Sequence, residues 1–345
     1  MNYEEFMLRA ISKAEKYKHL AKPNPVVGAM LLKGNEIISE GYHTFYGSNH
    51  AEINALNLAE KEKNIKFNDF SELTLICTLE PCSHIGKTGS CADALVKSGI
   101  KKVVIGSVDP NPKVCGKGIE ILKENNIEVE VGIHQDLVAK QNKFFFYRHK
   151  NNKPYITVKI ASSLDGKSHY KNSNERVYIT NKESREDVQL LRANYDAILT
   201  GTNTFLNDNP RMDVRLDYVV HQPEKILLSS SVTSSKEYMN TPFFKVNGKR
   251  TSIIKTNKLE KIMPILLKND KCSILVEAGP KLANAFLKSG YVNELIIYTS
   301  QKKLGRNGVD WFKGDNAVEN YGFKLESSCK IGSDLKEIYK KNEKE

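Results

Sequence analysis

The sequence predicts two consecutive α/β domains, and three observations carry that expectation. β-rich apolar runs alternate with segments of helical apolar spacing along most of the 345 residues. The alternation is interrupted once, where "QNKFFFYRHKNNKP" passes from an aromatic cluster into a polar, lysine-bearing stretch. The length is also great for one domain and comfortable for two. The domains are assigned as 1–148 and 149–345, with Asn151–Pro154 as the linker.

The elements follow in order. Phe6, Ala10, Ala14 and Tyr17, with Met7 and Ile11 beside them, make one face of a first helix. In "KPNPVVGAMLLKGNEIISEGYH" two β-rich runs flank "KGN", a hairpin pattern. "HAEINALNLAEK" is helical, "LTLICTLEP" a strand, "CADALVKSG" a helix ended by Gly99, and "KKVVIGSVDP" a strand. "GIEILKENN" and "IEVEVGI" add a helix and a strand. The second domain starts at "YITVKIASSLDG", continues with the helix "SREDVQLLRANY", and then has "DAILTGTNTF", a strand entering a loop. "EKILLSS", "TSIIKT", "CSILVEAG" and "NELIIYTS" are strands, with the helix "PKLANAFLKSG" between the last two. The tail "DLKEIYKKNEKE" reads as a frayed, solvated end.

Composition narrows the function classes. The net charge is +11, but the lysines are spread along the chain and no Arg/Lys-rich recognition segment stands out. A diffuse positive field equally attracts a phosphorylated small molecule, so nucleic acid is not the expected partner. No run of about 18 apolar residues occurs and the charged N-terminal stretch is unlike a signal peptide, so no membrane partner and a cytoplasmic location are expected. Six cysteines in a chain this long do not make a disulfide framework.

Two of those cysteines stand in "LEPCSHIGKTGSC", and a third candidate ligand lies in "SNHAEINAL". A catalytic zinc site takes three protein ligands and leaves one position open for water, whose pKa the metal lowers. His50, Cys82 and Cys91 supply a nitrogen and two thiolates, and Cys91 begins a helix whose amides favour a thiolate. Glu52, two residues after His50 and not a ligand, is placed to shuttle protons. His-x-Glu followed by Pro-Cys and a further Cys is the signature of zinc nucleobase deaminases. Cys77, mid-strand, reads as core, and Cys115, Cys272 and Cys329 as ordinary thiols.

Eight residues separate Cys82 from Cys91, where that signature has two. The enlarged loop with Lys87, together with "KPNPVVGA", "GYH", "HAE" and "DPNP", resembles the deaminase half of the bifunctional riboflavin-biosynthesis deaminase/reductases. The resemblance implies a cytidine-deaminase-like three-layer αβα domain with a mixed sheet, and a substrate pocket lined by Asn24, His43, Glu52, Lys87, Asp109 and Asn111. The family's substrate is a diaminopyrimidinone carrying a ribosyl 5-phosphate. Asn24 can offer its amide to the ring and Lys87 a point charge to the phosphate.

The second domain lacks G-x-G-x-x-G, so a Rossmann site has no support. "VEAGPKLANAF" is a strand, a glycine turn and a helix, able to present N–H groups to a phosphate. With "VKIASSLDGK" and "RANYDAILTGTNTFLNDNPRMDVR" it resembles the reductase half of the same family, whose α/β fold is like dihydrofolate reductase. The resemblance implies NADPH held by Ala161, Tyr178, Thr204, Asp208, Ser230, Gly279, Pro280 and Lys281. It places Arg192, Met212, Arg215 and Glu277 at the substrate, with Arg176 available as a further phosphate contact. Arg192 and Arg215 suit a phosphate bidentately. The chain departs from the family at Tyr178, where Trp is usual, at Arg176, where Ser is usual, and at Ser229-Ser230, where Asp-Ser is usual.

The expected activity is zinc-dependent hydrolytic deamination of 2,5-diamino-6-(5-phosphoribosylamino)pyrimidin-4(3H)-one, then NADPH-dependent reduction of the ribosyl group to ribityl. One Zn²⁺ and NADPH are the expected cofactors, a small phosphorylated pyrimidine the partner, and a homodimer or homotetramer the assembly. Two other classes stay open at this level. An RNA-editing deaminase would use the basic charge, although the cysteine spacing and second domain count against it. A non-catalytic zinc scaffold would lack a proton-shuttling acid, whereas Glu52 is present.

Overall fold

The hairpin around "KGN" opens the first sheet. In a computed structural model of the chain, β1 (Gly28–Lys33) and β2 (Glu36–Tyr42) pair antiparallel, and Gly34 turns between them at φ 58°. The structure describes residues 2–66, 69–83, 89–171, 177–219, 221–232, 237–238, 240–245, 251–256, 258–268, 271–312 and 318–342. The chain divides into two units, Met1–Asn152 and Lys153–Glu345.

In the first unit the sheet order is β2-β1-β3-β4-β5, with β3 (Thr74–Leu79), β4 (Lys102–Ser107) and β5 (Glu128–Val131) mutually parallel and β1 antiparallel to β3. The period of two sends neighbouring apolar residues to opposite faces. Met30, Leu32, Ile76 and Val104 pack with Met7 and Ala10 of α1 (Tyr3–Ala14). Short α2 (Lys18–Ala21) follows α1. Ala29, Leu31, Leu75, Cys77, Val103 and Ile105 pack on the other face against α3 (Ala51–Lys63), α4 (Cys91–Ser98) and α5 (Lys117–Glu124). The result is a three-layer αβα domain on a mixed sheet, with Cys77 in its core. Gly41 lets β2 approach α3 closely, because a Cβ there would lie 2.0 Å from Ala51 O. Helices α6 (Gln135–Gln141) and α7 (Lys143–Asn151) follow, so the aromatic cluster before the expected linker is helical.

The second unit is built on an eight-stranded sheet. Its parallel part, in spatial order, is β10 (Thr251–Ile254), β9 (Glu224–Leu228), β8 (Ala197–Gly201), β11 (Ser273–Val276), β6 (Tyr155–Ser162) and β12 (Glu294–Thr299). Antiparallel β15 (Asp334–Lys341) and β14 (Phe323–Ile331) complete it. Helices α8 (Lys182–Ala193), α9 (Thr202–Asp208), α10 (Pro242–Lys245), α11 (Leu259–Lys268) and α12 (Pro280–Ser289) connect the strands. A small β7–β13 ribbon (Lys167–Tyr170, Gly308–Asp310) stands apart. Trp311 joins the apolar core of this unit.

Two expectations are corrected here. The run after β8 is helix α9 rather than a loop. The "frayed" tail is β15, whose backbone pairs antiparallel with β12 on one side and β14 on the other, although the three charged residues Lys336, Glu337 and Lys340 interrupt its apolar pattern. Among the described residues no helix is long and apolar enough to cross a membrane.

Candidate active sites

Three chain segments converge at the first site. β3 runs into Glu80, Pro81 and Cys82, α3 begins just after His50, and α4 begins at Cys91. Ser90 caps α4 by accepting the Asp93 N–H at 3.1 Å, which fixes Cys91 in the first turn. His50 Nδ1 is 3.2 Å from Cys91 Sγ and 3.5 Å from Cys82 Sγ, and the Cys91 N–H donates to Cys82 Sγ at 3.4 Å. The three donor atoms lie within 4.8 Å of one another. Hydrogen bonds from the Cys91 side chain, from His50 and from the Cys91 N–H draw the Cys82 thiol down to about 4. One imidazole and two sulfurs, one of them readily a thiolate, suit zinc.

Glu52 completes the fit. It is buried, and its Oε2 has no hydrogen-bond partner although it is out of contact with water. Such an atom calls for a missing partner. Burial pushes its carboxyl up to about 7.

Asn24 and His43 extend the site. Asn24 Nδ2 lies 3.1 Å from His43 Nε2 and His43 Nδ1 3.2 Å from Asn49 O. Since the amide nitrogen donates, Nε2 accepts and Nδ1 carries the proton toward the carbonyl. Burial lowers the His43 pKa, in keeping with a neutral ring. That ring meets His50 edge-on at 5.4 Å. Asp109 and Asn111 belong to one turn, in which Asp109 Oδ1 accepts the Asn111 N–H at 2.7 Å. Lys87 lies outside the described residues.

Sequence reasoning passed over Glu80. Its buried carboxylate accepts the Asp109 N–H at 3.1 Å and three further amides from the 116–119 segment. A carboxylate at the buried end of an apolar strand, directly before Pro-Cys, was the available signal.

Asp109 offers a test by pH. Its carboxyl is raised from 3.8 to about 6, first by burial, with the charges of Glu80 and Cys82 adding. A raised acid is penalised in the folded state above its unfolded value, and the penalty is complete above the folded one. Asp109→Asn retains the oxygen that accepts from Asn111. It should therefore stabilise the protein at about pH 8 by about 1–3 kcal/mol, with the gain vanishing near about pH 4. Thermal unfolding at both pH values checks this; a loss of stability at the higher one contradicts the assignment.

The second site is a cavity of ≈ 1040 Å³ wholly within the second unit. Ala161, Tyr178, Arg192, Thr204, Asp208, Met212, Arg215, Ser230, Glu277, Gly279, Pro280 and Lys281 all line it. Arg176 lies outside the described residues. Among the described residues the lining holds seven Lys or Arg side chains against the two acids Asp208 and Glu277, a balance suited to a polyanion. α12 starts at Gly279 without a side-chain cap, leaving first-turn amides toward the cavity. Thr204 and Asp208 stand on α9, and Thr204 Oγ1 accepts the Gly279 N–H at 3.0 Å. Arg185 stacks over the Tyr178 ring at 4.7 Å.

Arg192 takes a different arrangement from the phosphate fork its residue type suggests. Its Nε and Nη2 donate to the two oxygens of Glu277 at 2.6 and 2.9 Å, and Nη1 donates to Asp213 O at 3.1 Å. Lys159, missed in the sequence, adds a 2.9 Å ion pair to Glu277. A lysine among the buried residues of β6 was its signal. Burial would raise Glu277, but Arg192 and Lys159 hold it well below the usual carboxylate range. Met212 has φ 49°, uncommon for a side chain of its size. It separates Arg211 from Asp213, whose carboxylate binds both Arg211 and Arg215 at 2.7 Å. Arg215 remains half-exposed toward the cavity.

Comparison with known proteins agrees with both halves. Residues 1–107 match the cytidine and deoxycytidylate deaminase zinc-binding region, and residues 154–336 match the RibD C-terminal domain. The chain is 38% identical to riboflavin biosynthesis protein RibD of Escherichia coli, over 97% of this chain and 98% of that one. It is 36% identical to RibD of Aquifex aeolicus over 88% of each. The Acinetobacter baumannii RibD structure superposes with TM-score 0.86 at 33% identity, covering 99% of both chains. A Thermotoga maritima structure described as a diaminohydroxyphosphoribosylaminopyrimidine deaminase/5-amino-6-(5-phosphoribosylamino)uracil reductase superposes with TM-score 0.85 at 32% identity, again over 99% of both. Similarity sustained along nearly the full length, across a zinc-binding deaminase domain and a reductase domain, makes this chain a member of the RibD family of bifunctional riboflavin biosynthesis enzymes.

Proposed function

We propose that the deaminase site acts on 2,5-diamino-6-(5-phosphoribosylamino)pyrimidin-4(3H)-one and that the second site uses NADPH to reduce the ribosyl group, giving 5-amino-6-(5-phosphoribitylamino)uracil. The observation that carries the first half is the unpartnered, buried Glu52 oxygen beside the His50–Cys82–Cys91 donors. The activities printed for the Thermotoga maritima protein support the substrate. His50, Cys82 and Cys91 would hold the zinc, which when bound makes water nucleophilic near neutral pH. Glu52 accepts a proton from the attacking water, returns it to the ring nitrogen, and then serves the departing ammonia. Asn24, oriented by His43, keeps a second amide hydrogen for the ring.

In the second site NADPH supplies the hydride. Thr204, Asp208, Ser230, Ala161, Tyr178 and the Gly279–Lys281 turn are assigned to holding it. Arg215 and Met212 are assigned to the substrate, with Arg176 a further phosphate contact. Arg192 is assigned there chiefly as the residue that fixes Glu277. The protein's task is orientation of the sugar carbon against the cofactor and exclusion of water.

The test supplies the phosphoribosyl substrate and follows ammonia and NADPH separately. Chelation should stop ammonia release, and zinc should restore it. NADPH oxidation should continue under chelation when the deaminated intermediate is given. Ammonia release that survives complete zinc removal, or an intermediate that NADPH does not reduce, contradicts the respective half.

A further inference from the structure

Glu80 lies outside the chemistry assigned above, yet it is the most heavily bonded carboxylate near the metal donors. Its Oε2 accepts the N–H groups of Asp109 at 3.1 Å and Gly116 at 3.0 Å. Its Oε1 accepts those of Gly118 at 3.0 Å and, more weakly, Ile119 at 3.4 Å. Gly116 is the N-cap of α5, so the carboxylate satisfies first-turn amides that the helix itself leaves open. The Glu80 N–H in turn donates to Ser107 O at 2.9 Å, tying the ends of β3 and β4. The approach is also sterically tight. A Cβ on Gly118 would lie 2.0 Å from Pro81 O and 3.3 Å from Glu80 Oε1, so α5 starts directly against the residue preceding Cys82.

We propose that Glu80 is a positioning residue for deamination: it locks the turn carrying Asp109 and Asn111 to the strand end carrying Cys82, and so sets the spacing between the metal donors and the substrate-binding turn. This rests on the reading above that the Asp109–Asn111 turn faces substrate. The physical reason is the acceptor geometry. A carboxylate has two oxygens and can take four N–H groups, two on each. Glutamine offers one oxygen, and its amide would set N–H against N–H at the other pair. Either the Asp109 side or the Gly118 side of the tie must open.

The experiment compares the zinc-loaded full chain with Glu80→Gln, Asn111→Ala and the double variant. Glu80→Gln should retain about one equivalent of zinc and unchanged reduction of the deaminated intermediate. Its deamination KM should rise about tenfold with kcat altered by less than about threefold, the pattern of lost binding shared by ground and transition states. Asn111→Ala should add less to KM in the Glu80→Gln background than in the parent, since the turn is already displaced. An unchanged KM in Glu80→Gln beside a raised KM in Asn111→Ala overturns the inference and leaves the substrate reading standing. Loss of zinc in Glu80→Gln also overturns it, because Glu80 would then hold the metal ligands rather than the turn. A wild-type KM in Asn111→Ala removes the substrate reading and the inference with it. Should Glu80→Gln fail to fold, Gly118→Ala pushes α5 from Pro81 with the carboxylate intact; the same rise in KM is expected, and an unchanged KM overturns the proposal.

Discussion

Glu52→Gln is expected to lower deamination by about 10²–10⁴, the usual share of a positioned acid–base group. The substitution keeps the shape of the side chain and replaces none of the three metal donors, so zinc content should not change. What it removes is the ability of the orphaned Oε2 to accept and return a proton. Burial pushes the carboxyl up to about 7, the direction that suits a group which must both take and return a proton. Ammonia release under saturating substrate measures the effect, and reduction of the deaminated intermediate serves as the internal control. Near-native ammonia release from a zinc-replete variant would falsify the proton-shuttle role.

The first site was legible because its chemistry needs rare residue types at constrained places. A histidine and a cysteine that each open a helix, with Pro-Cys at a strand end, leave few alternatives, and the structure brings those three donors together. For Glu80 the sequence offers its place at a strand end before Pro-Cys but not its role, since its four partners are backbone amides that any sequence supplies. The second site yielded its wall but not its pairing. Arg192 and Glu277 are far apart in sequence, and an arginine on a predicted helix gives no sign that its partner lies at the end of β11. Within the fold, buried parallel strands such as "AILTG" and "SILV" stood out by continuous apolar character. β14 and β15 leave little trace in the sequence, because their burial is slight and lysine, glutamate and serine dilute the alternation.

Glu277→Gln carries the largest expected effect on stability. The native carboxylate sits between Arg192, itself buried, and Lys159. Neutralising it leaves the Arg192 guanidinium in a low-dielectric site with an amide in place of its counter-charge, and removing one partner of a buried pair costs about 3–5 kcal/mol. Lys159 is partly exposed, whereas Arg192 is buried and also held by Asp213 O. The pH dependence has a definite sign. A carboxyl held below its ordinary value contributes stability that is complete above the unfolded value of 4.5 and is lost as pH falls toward the folded one. The gap between parent and variant should therefore be constant through neutral pH and narrow below about pH 4.5. Calorimetry of the full chain reads the transition of the reductase unit against that of the deaminase unit. A second variant separates packing from chemistry: Arg192→Met with Glu277→Leu replaces the pair by apolar groups and should recover most of the lost stability. Reduction of the deaminated intermediate should nonetheless be lost in both variants, because each removes the carboxylate proposed to face the substrate. A double variant that reduces the intermediate normally would show that the pair serves the fold alone.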